Sequence, residues 1–278
     1  MKHFSKWKLG VWHGVASIIS ALYILPIFWM LANSLRRPGL PPPRSIEWLP
    51  NPAAWSNYPR LLELMPFGRY AFNSTVVAFG GVALTLLTAS WAGFALAQFS
   101  QRWRRRWVGA SIGLLVVPIT ALWLPRLVIY RYFNLLDGYG SLIAPAVMGT
   151  SPLFILLFYW AARRIPLEHF EAARLEGASA WQVWWQVMVP LSRATLLAVG
   201  TLAFVIYWGD FITPLLYLKS EELYTLPIAL QQLYEMNHSN WPLMMAGAVL
   251  ITFPPVVLFA IAQRYLLRDD LFAGFYER

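Results

Sequence analysis

Six long apolar stretches, at about 11–31, 72–99, 107–129, 142–162, 194–216 and 241–265, alternate with polar segments along the 278 residues of the chain. Each holds roughly 20 residues or more, enough at about 1.5 Å per residue to cross the roughly 30 Å of hydrocarbon in a bilayer. Pro26, Pro118, Pro125, Pro145, Pro152, Pro214, Pro254 and Pro255 fall in or near these runs. A proline removes a backbone donor and invites a kink. In hydrocarbon such a break survives only where protein or a water-filled cavity satisfies the freed carbonyls. The pattern predicts an all-α integral membrane protein with six transmembrane helices, several of them interrupted. That favours a pathway protein over a simple anchor.

A polar insert at about 163–193 separates the fourth run from the fifth, and its centre reads PLEHFEAARLEGASAWQVWWQVMVP. Pro166 suits a first helical turn, where its missing donor costs nothing. Glu168 and Glu171 complement the positive end of the helix dipole. Leu167, Phe170, Ala173 and Arg174 recur at helical spacing. Gly177 is expected to end that helix in the left-handed conformation. Ser179 and Gln182 form a capping box that starts a second helix, which shows Trp181, Trp184, Trp185 and Met188 before Pro190 stops it. Two stiff helices at a sharp angle are therefore expected, from Pro166 to about 176 and from 180 to about 189. They suit a knob that docks into a partner, or a hairpin lying on the membrane with its tryptophans among the headgroups. The pattern alone favours neither.

Composition narrows the chemistry. The chain is 58% hydrophobic and 13% charged, against about 25% charged in a soluble domain, so water is not its main solvent. It has no cysteine, which removes disulfides, thiolate catalysis and cysteine-held metals. His3, His13, His169 and His238 are scattered without metal-ligand spacing. Neither a GxxxxGK[ST] phosphate loop nor a GxSxG elbow occurs. The chain is expected to be non-catalytic, with no cofactor or metal of its own.

The net charge of +9 would suggest nucleic acid in a soluble protein. Topology explains it better. With the N-terminus inside, the inner segments hold Lys2, Lys6, Lys8, Arg102, Arg104, Arg105, Arg106, Arg163, Arg164, Arg174, Arg193, Arg264, Arg268 and Arg278, which is 14 of the 22 basic residues. Basic residues mark the inner side, so both termini are expected on the inner, cytoplasmic side, with lipid rather than nucleic acid around the chain. The run QRWRRRW at 101–107 holds its loop inside, with Trp103 and Trp107 in the interfacial belt. The first run is too long for a signal peptide and lacks a clear cleavage site. The external segment at about 33–70 is proline-rich through Pro38–Arg44 and again at Leu49–Pro52, with a short amphipathic helix expected at 57–65. It is equally readable as a partner surface or as a lid over the helix ends.

The insert resembles a known family. EAARLEG, nine further residues and then VMVP are similar to the EAA-x3-G-x9-I-x-L-P pattern of ABC importer permeases. Glu171, Ala172, Ala173, Gly177 and Pro190 match it, while Val187 and Val189 replace isoleucine and leucine. AGFALAQF (92–99), VPITALWLPRLVIYRYFNLLDGYGSLIAP (117–145), WGDFITPLLYLKSEELYTLPIAL (208–230) and AQRYLL near the end extend the resemblance to the maltose-transporter G-subunit family, of the carbohydrate-uptake type. The terminal DDLFAGFYER departs from the glycine-rich tail frequent there.

The resemblance implies a single permease domain over 1–278 in a prokaryotic inner (plasma) membrane, with a cytoplasmic coupling helix between spans 4 and 5. It implies an importer of a sugar or sugar-like solute, with a non-sugar solute such as glycerol phosphate or an osmolyte as the alternative. The implied partners are a second permease, two ATPases that hold ATP and magnesium, and an external solute-binding protein. Glu171, Ala172, Ala173, Arg174, Gly177, Ala178 and Ser179 then form or flank the helix that enters the ATPase cleft.

Asp210 is the acidic residue well inside a predicted span, where a charge is costly unless it faces protein or water. It reads either as a solute or gate contact, or as a helix cap beside Gly209 and Pro214. Tyr207 and Trp208 offer faces for stacking on a sugar. Asn73 is placed to cap the second helix, and the adjacent NST sequon is read as chance. A secondary transporter would show several intramembrane charges or an internal repeat. A membrane enzyme would show a reactive cluster.

Overall fold

The computed structural model describes residues 6–45, 48, 50–236 and 240–266. Lys2, His3, His238, Arg268, Arg278 and the terminal DDLFAGFYER lie outside the described residues. Every regular element among those described is helical: α1 (Lys6–Ser34), α2 (Asn57–Leu64), α3 (Phe67–Gln98), α4 (Gln101–Leu115), α5 (Trp123–Tyr132), α6 (Tyr139–Ile143), α7 (Pro152–Arg164), α8 (Leu167–Leu175), α9 (Ala180–Val183), α10 (Val189–Leu191), α11 (Arg193–Gly209), α12 (Ile212–Tyr217), α13 (Leu226–Met236) and α14 (Trp241–Leu266).

Two compact units divide the chain. One draws on Met1–Gly68 and Ala229–Phe253, the other on Arg69–Ile228 and Pro254–Arg278. In the first, α1 is apolar and exposed along most of its length, as a helix solvated by lipid is. The chain leaving its C-terminal end finds a side-chain partner: the buried amide of Asn57 donates to the carbonyls of Ser34 and Arg36 at 2.8 Å each. Leu61 of α2 is fully buried beside Gly247 of α14. The expected amphipathic helix at 57–65 is α2, and its buried face is the reason it forms.

The second unit is organised by α3. Gly80 lies against Ile143, Ala89 against Gly149, and Gly93 against Phe158, so α3 and the segment 143–164 run in the same direction. Gly81 meets Tyr207 and Leu86 meets Gly200, so α11 runs the opposite way. The C-terminal ends of α3 and α7 and the N-terminal end of α11 therefore lie at one end of this unit.

The expected helix boundaries need correction in three runs. The run at 107–129 is not one helix: α4 and the segment Ile119–Tyr132 meet at 94°. Pro118 has no donor and disfavours helical geometry at Val117. The amides of Val116 and Val117 close the last turn onto Gly113 and Leu114, each at 3.2 Å. Pro125 is harmless because it sits in the first turn of α5. The run at 142–162 breaks at Gly149 and Thr150, whose φ values are +74° and +61°. Ser151 then caps α7, accepting from the Leu153 amide at 3.3 Å. The carbonyl of Ala146 at this break accepts from the Thr88 hydroxyl at 2.6 Å. The run at 194–216 breaks at Asp210 and Phe211, between α11 and α12. Among the described residues, four segments are long and apolar enough to cross a membrane, or up to six if each sharply bent helix pair is one span.

Close approach of α3 to α7 requires Gly93. A Cβ there would stand 2.6 Å from the Phe158 Cβ and 2.7 Å from the Tyr159 backbone nitrogen, which cannot yield cheaply. Gly93→Ala is expected to destabilise the detergent-solubilised protein by about 1–3 kcal/mol, the usual scale of overpacking, read as a lower thermal midpoint. Gly109→Ala on α4, with nothing within 4 Å, is the matched control and should not lower it. Equal midpoints for the two variants would contradict the packing account.

Candidate functional site

The polar insert folds as a tight turn of two helices. α8 ends in paired backbone bonds: the Gly177 amide donates to Arg174 and the Ala178 amide to Ala173, both at 3.0 Å. This six-to-one, five-to-two pattern places Gly177 in the left-handed region, at φ +86°. Nothing lies within 4 Å of the position of a Cβ on Gly177, so conformation rather than space selects glycine. The capping box is present: Gln182 Oε1 accepts from the Ser179 amide at 2.7 Å, and Ser179 Oγ accepts from the Gln182 amide at 3.4 Å.

The second helix differs from expectation. α9 passes into a π turn at Trp184–Met188 and then into α10, so Pro190 does not stop it. The Val189 amide bonds back five residues to the Trp184 carbonyl. A wider turn relieves the clash that proline makes with the preceding carbonyl. The path turns only at Ser192, where α11 departs at 83°.

Burial divides the aromatic positions. Trp184 and Met188 are buried, whereas Trp181 and Trp185 are exposed. Phe170, Val183, Trp184 and Met188 join Phe94, Ala97, Phe154, Phe158 and Ala162 in one apolar cluster. The ring of Trp184 meets Trp91 edge-on at 5.2 Å, and Phe170 meets Phe94 at 5.9 Å. A hydrogen bond from Arg174 Nη2 to Gln98 Oε1, 2.9 Å long, adds a polar tie to the end of α3. Removing a buried Phe or Trp side chain costs about 3–5 kcal/mol; a neutral hydrogen bond contributes about 1 kcal/mol. The apolar anchors therefore hold the turn. Glu171, Ala172, Arg174, Gly177 and Ser179 face outward, and Ala173 and Ala178 are half-buried.

The three candidate path residues do not share one environment. Tyr207 is buried, with its hydroxyl 2.8 Å from that of Thr150 and its ring against Gly81. Thr150 in turn bonds Thr85. Trp208 is buried and stacks on Phe204 with centroids 5.3 Å apart. Asp210 is half-buried and accepts from the Thr213 amide at 3.1 Å, capping α12. Asn73 lies within α3 rather than at its start. Its amide donates to the carbonyls of Glu222 and Tyr224, and its oxygen accepts from the Tyr139 hydroxyl.

One residue outside the expected set organises the opposite end of this unit. Asp137, at φ +57°, accepts from the amides of Lys219 and Ser220 at 2.9 Å and from the Ser220 hydroxyl at 2.6 Å. The Asp-Gly pair marks a turn in the sequence, but the partner 82 residues away leaves no local trace.

Comparison with known proteins gives concordant matches. A family model described as "Binding-protein-dependent transport system inner membrane component" matches residues 13–269. The sulfoquinovosyl glycerol transport system permease protein SmoH of Agrobacterium fabrum is 30% identical, over 93% of this chain and 90% of the relative. The arabinooligosaccharides transport system permease protein AraQ of Bacillus subtilis is 27% identical, over 90% and 89%. A solved chain from a bacterial ABC transporter involved in import of the acidic polysaccharide alginate has the same fold, with TM-score 0.75 and 20% identity over 95% of this chain and 99% of that one.

The Asp137 contacts set a pH dependence. The Ser220 hydroxyl, then the Ser220 and Lys219 amides, hold the Asp137 carboxyl below its usual range. With the folded value depressed, the loop link is complete above the ordinary aspartate range and is lost as pH falls through the lower folded value. The 13C shift of the Asp137 carboxyl, in aspartate-labelled protein, is expected to titrate below that of an unstructured aspartate. Ser220→Ala should move the midpoint back up; an unmoved midpoint would contradict the assignment.

Proposed function

The chain belongs to the family of binding-protein-dependent transport system inner membrane components, and we propose that its polar turn at 166–183 is the element a separate ATPase grips to drive transport. The chain is a multi-pass transport permease component rather than a catalyst. One observation carries the reading. Glu171, Ala172 and Gly177 are exposed on a turn whose other face, through Phe170 and Trp184, is built into the apolar cluster. Force applied to such a turn passes to α3, α7 and α11.

In this reading the chain is one permease domain of six spans, each sharply bent helix pair counting as one. The end of the second unit that bears Arg102, Arg104–Arg106, Arg163, Arg164, Arg174 and Arg193 is cytoplasmic by the bias of basic residues, as are both termini. A second permease completes the pore. Two ATPases, holding ATP and magnesium, bind at the cytoplasmic face, and an external solute-binding protein delivers cargo. Nucleotide-driven closure of the ATPases favours one arrangement of the bundles over another, a rigid-body transition driven by differential binding. The cargo is a sugar or sugar-like solute, a class supported by the arabinooligosaccharides and sulfoquinovosyl glycerol in the relatives' names. Asp210, half-buried at a helix break, is the path residue best placed to meet it; Tyr207 and Trp208 shape the wall through Thr150 and Phe204.

Glu171→Arg reverses charge at an exposed position, and Gly177→Pro is incompatible with φ +86°. Each is expected to abolish co-purification of the ATPase and to lower solute-stimulated ATP hydrolysis at least ten-fold in the reconstituted transporter, while the chain still inserts. Coupling that survives both changes would exclude this turn as the contact.

A further inference from the structure

α4 sorts its side chains into three sectors. Arg104, Val108 and Ser111 are half-buried and recur at i, i+4 and i+7, the spacing of one helix face; this face turns toward the protein, where α4 packs along α7. Trp103, Trp107, Ala110 and Leu114 form a second, exposed sector. Arg102, Arg105 and Arg106 form a third with Gly109 and Gly113, directed away from the protein. All three arginines are exposed, and nothing lies within 4 Å of a Cβ built on either glycine. No carboxylate among the described residues forms an ion pair with Arg102, Arg105 or Arg106. Arg106 lies over the Trp103 ring at 5.2 Å.

Topology alone asks only that basic residues be present in this loop. It does not require that they be arginines, concentrated on the sector of α4 opposite its protein-facing side, or flanked by two exposed indoles. We propose that this sector binds the phosphates of anionic phospholipids in the inner leaflet, with Arg102, Arg105 and Arg106 as the phosphate ligands and Trp103 and Trp107 seated in the headgroup layer. A guanidinium presents paired donors that match phosphate oxygens. Indoles sit at the boundary between headgroup and acyl chain. The bare backbone at Gly109 and Gly113 continues the arginine sector toward the acyl region. Ordering a lipid here braces α4 against α7, which leads directly into the polar turn. The placement in the inner leaflet rests on the cytoplasmic assignment of this end; the phosphate chemistry does not.

The full chain, purified in detergent, is titrated with phosphatidylglycerol and with phosphatidylcholine, and bound lipid is counted by native mass spectrometry. A clustered basic residue near an anionic surface contributes about five-fold in affinity, so Arg105→Gln is expected to lower the preference for phosphatidylglycerol about five-fold. The triple Arg102→Gln, Arg105→Gln, Arg106→Gln should lower it about a hundred-fold. A control that removes three exposed charges elsewhere, Arg37→Gln, Arg44→Gln, Arg60→Gln, should leave it within two-fold. Arg105→Gln alone decides the question if the triple variant does not insert. Equal loss in both triple variants overturns the proposal, as does a preference unchanged by Arg105→Gln. Loss of ATPase co-purification with lipid preference intact also overturns it, and assigns the arginines to a protein contact. Lipid counting needs neither ATPase nor cargo, so it fails or succeeds independently of the transport reading.

Discussion

A polar turn transmits force to an apolar bundle only if something buried ties the two together. Here the tie is the packing of Phe170, Val183, Trp184 and Met188 against Phe94, Ala97, Phe154, Phe158 and Ala162. These residues come from α3, α7, α8, α9 and the π turn that follows. The exposed hydrogen bond between Arg174 and Gln98 is minor beside this burial. Because the cluster includes residues from both helices of the turn, α8 and α9 are not a hinged flap. The left-handed Gly177 sets the angle between them, and the cluster fixes that angle against α3.

The same unit manages its broken spans by local substitution of partners. Hydrocarbon offers a freed carbonyl no water, and two of the breaks carry side-chain devices, while the one at Pro118 closes through backbone amides. Thr88 serves the Ala146 carbonyl, Ser151 caps α7, and Asp210 caps α12. Thr85, Thr150 and Tyr207 join the break before α7 to α3 and α11. These hydroxyls give the irregular backbone before α7 hydrogen-bond partners from neighbouring helices.

Local features were legible in the sequence and long-range ones were not. The Ser179 capping box and the left-handed Gly177 each depend on a few neighbouring residues and take the form that their chemistry predicts, whereas three of the six apolar runs, legible as runs, fold as broken helices. Pro118 was visible as a possible break, yet the 94° bend after α4 depends on how two pieces pack. Pro190 read as a stop because the π turn that accommodates it has no sequence marker. Trp181, Trp184 and Trp185 look alike along the chain; Trp184 joins the buried cluster with Phe94, Phe154 and Phe158 and the other two do not, which no local pattern marks. Asp137 and Asn73 bind partners far away in sequence, beyond the reach of any spacing argument. Membership of the transport family came from the EAARLEG turn and its glycine and proline, the most local of these signals.

The central claim is that the turn and the α3 bundle move as one body. The chain has no cysteine, so Leu87→Cys on α3 and Leu167→Cys on α8, both exposed positions and separate from Glu171, Ala172 and Gly177, accept a pair of spin labels found nowhere else in it. Double electron–electron resonance in the assembled transporter, with and without a non-hydrolysable ATP analogue, reads the distance between them. The account predicts one narrow distribution, unchanged between the two states. A shift or splitting of that distribution on nucleotide binding would show that the turn moves relative to the bundle, and would contradict it.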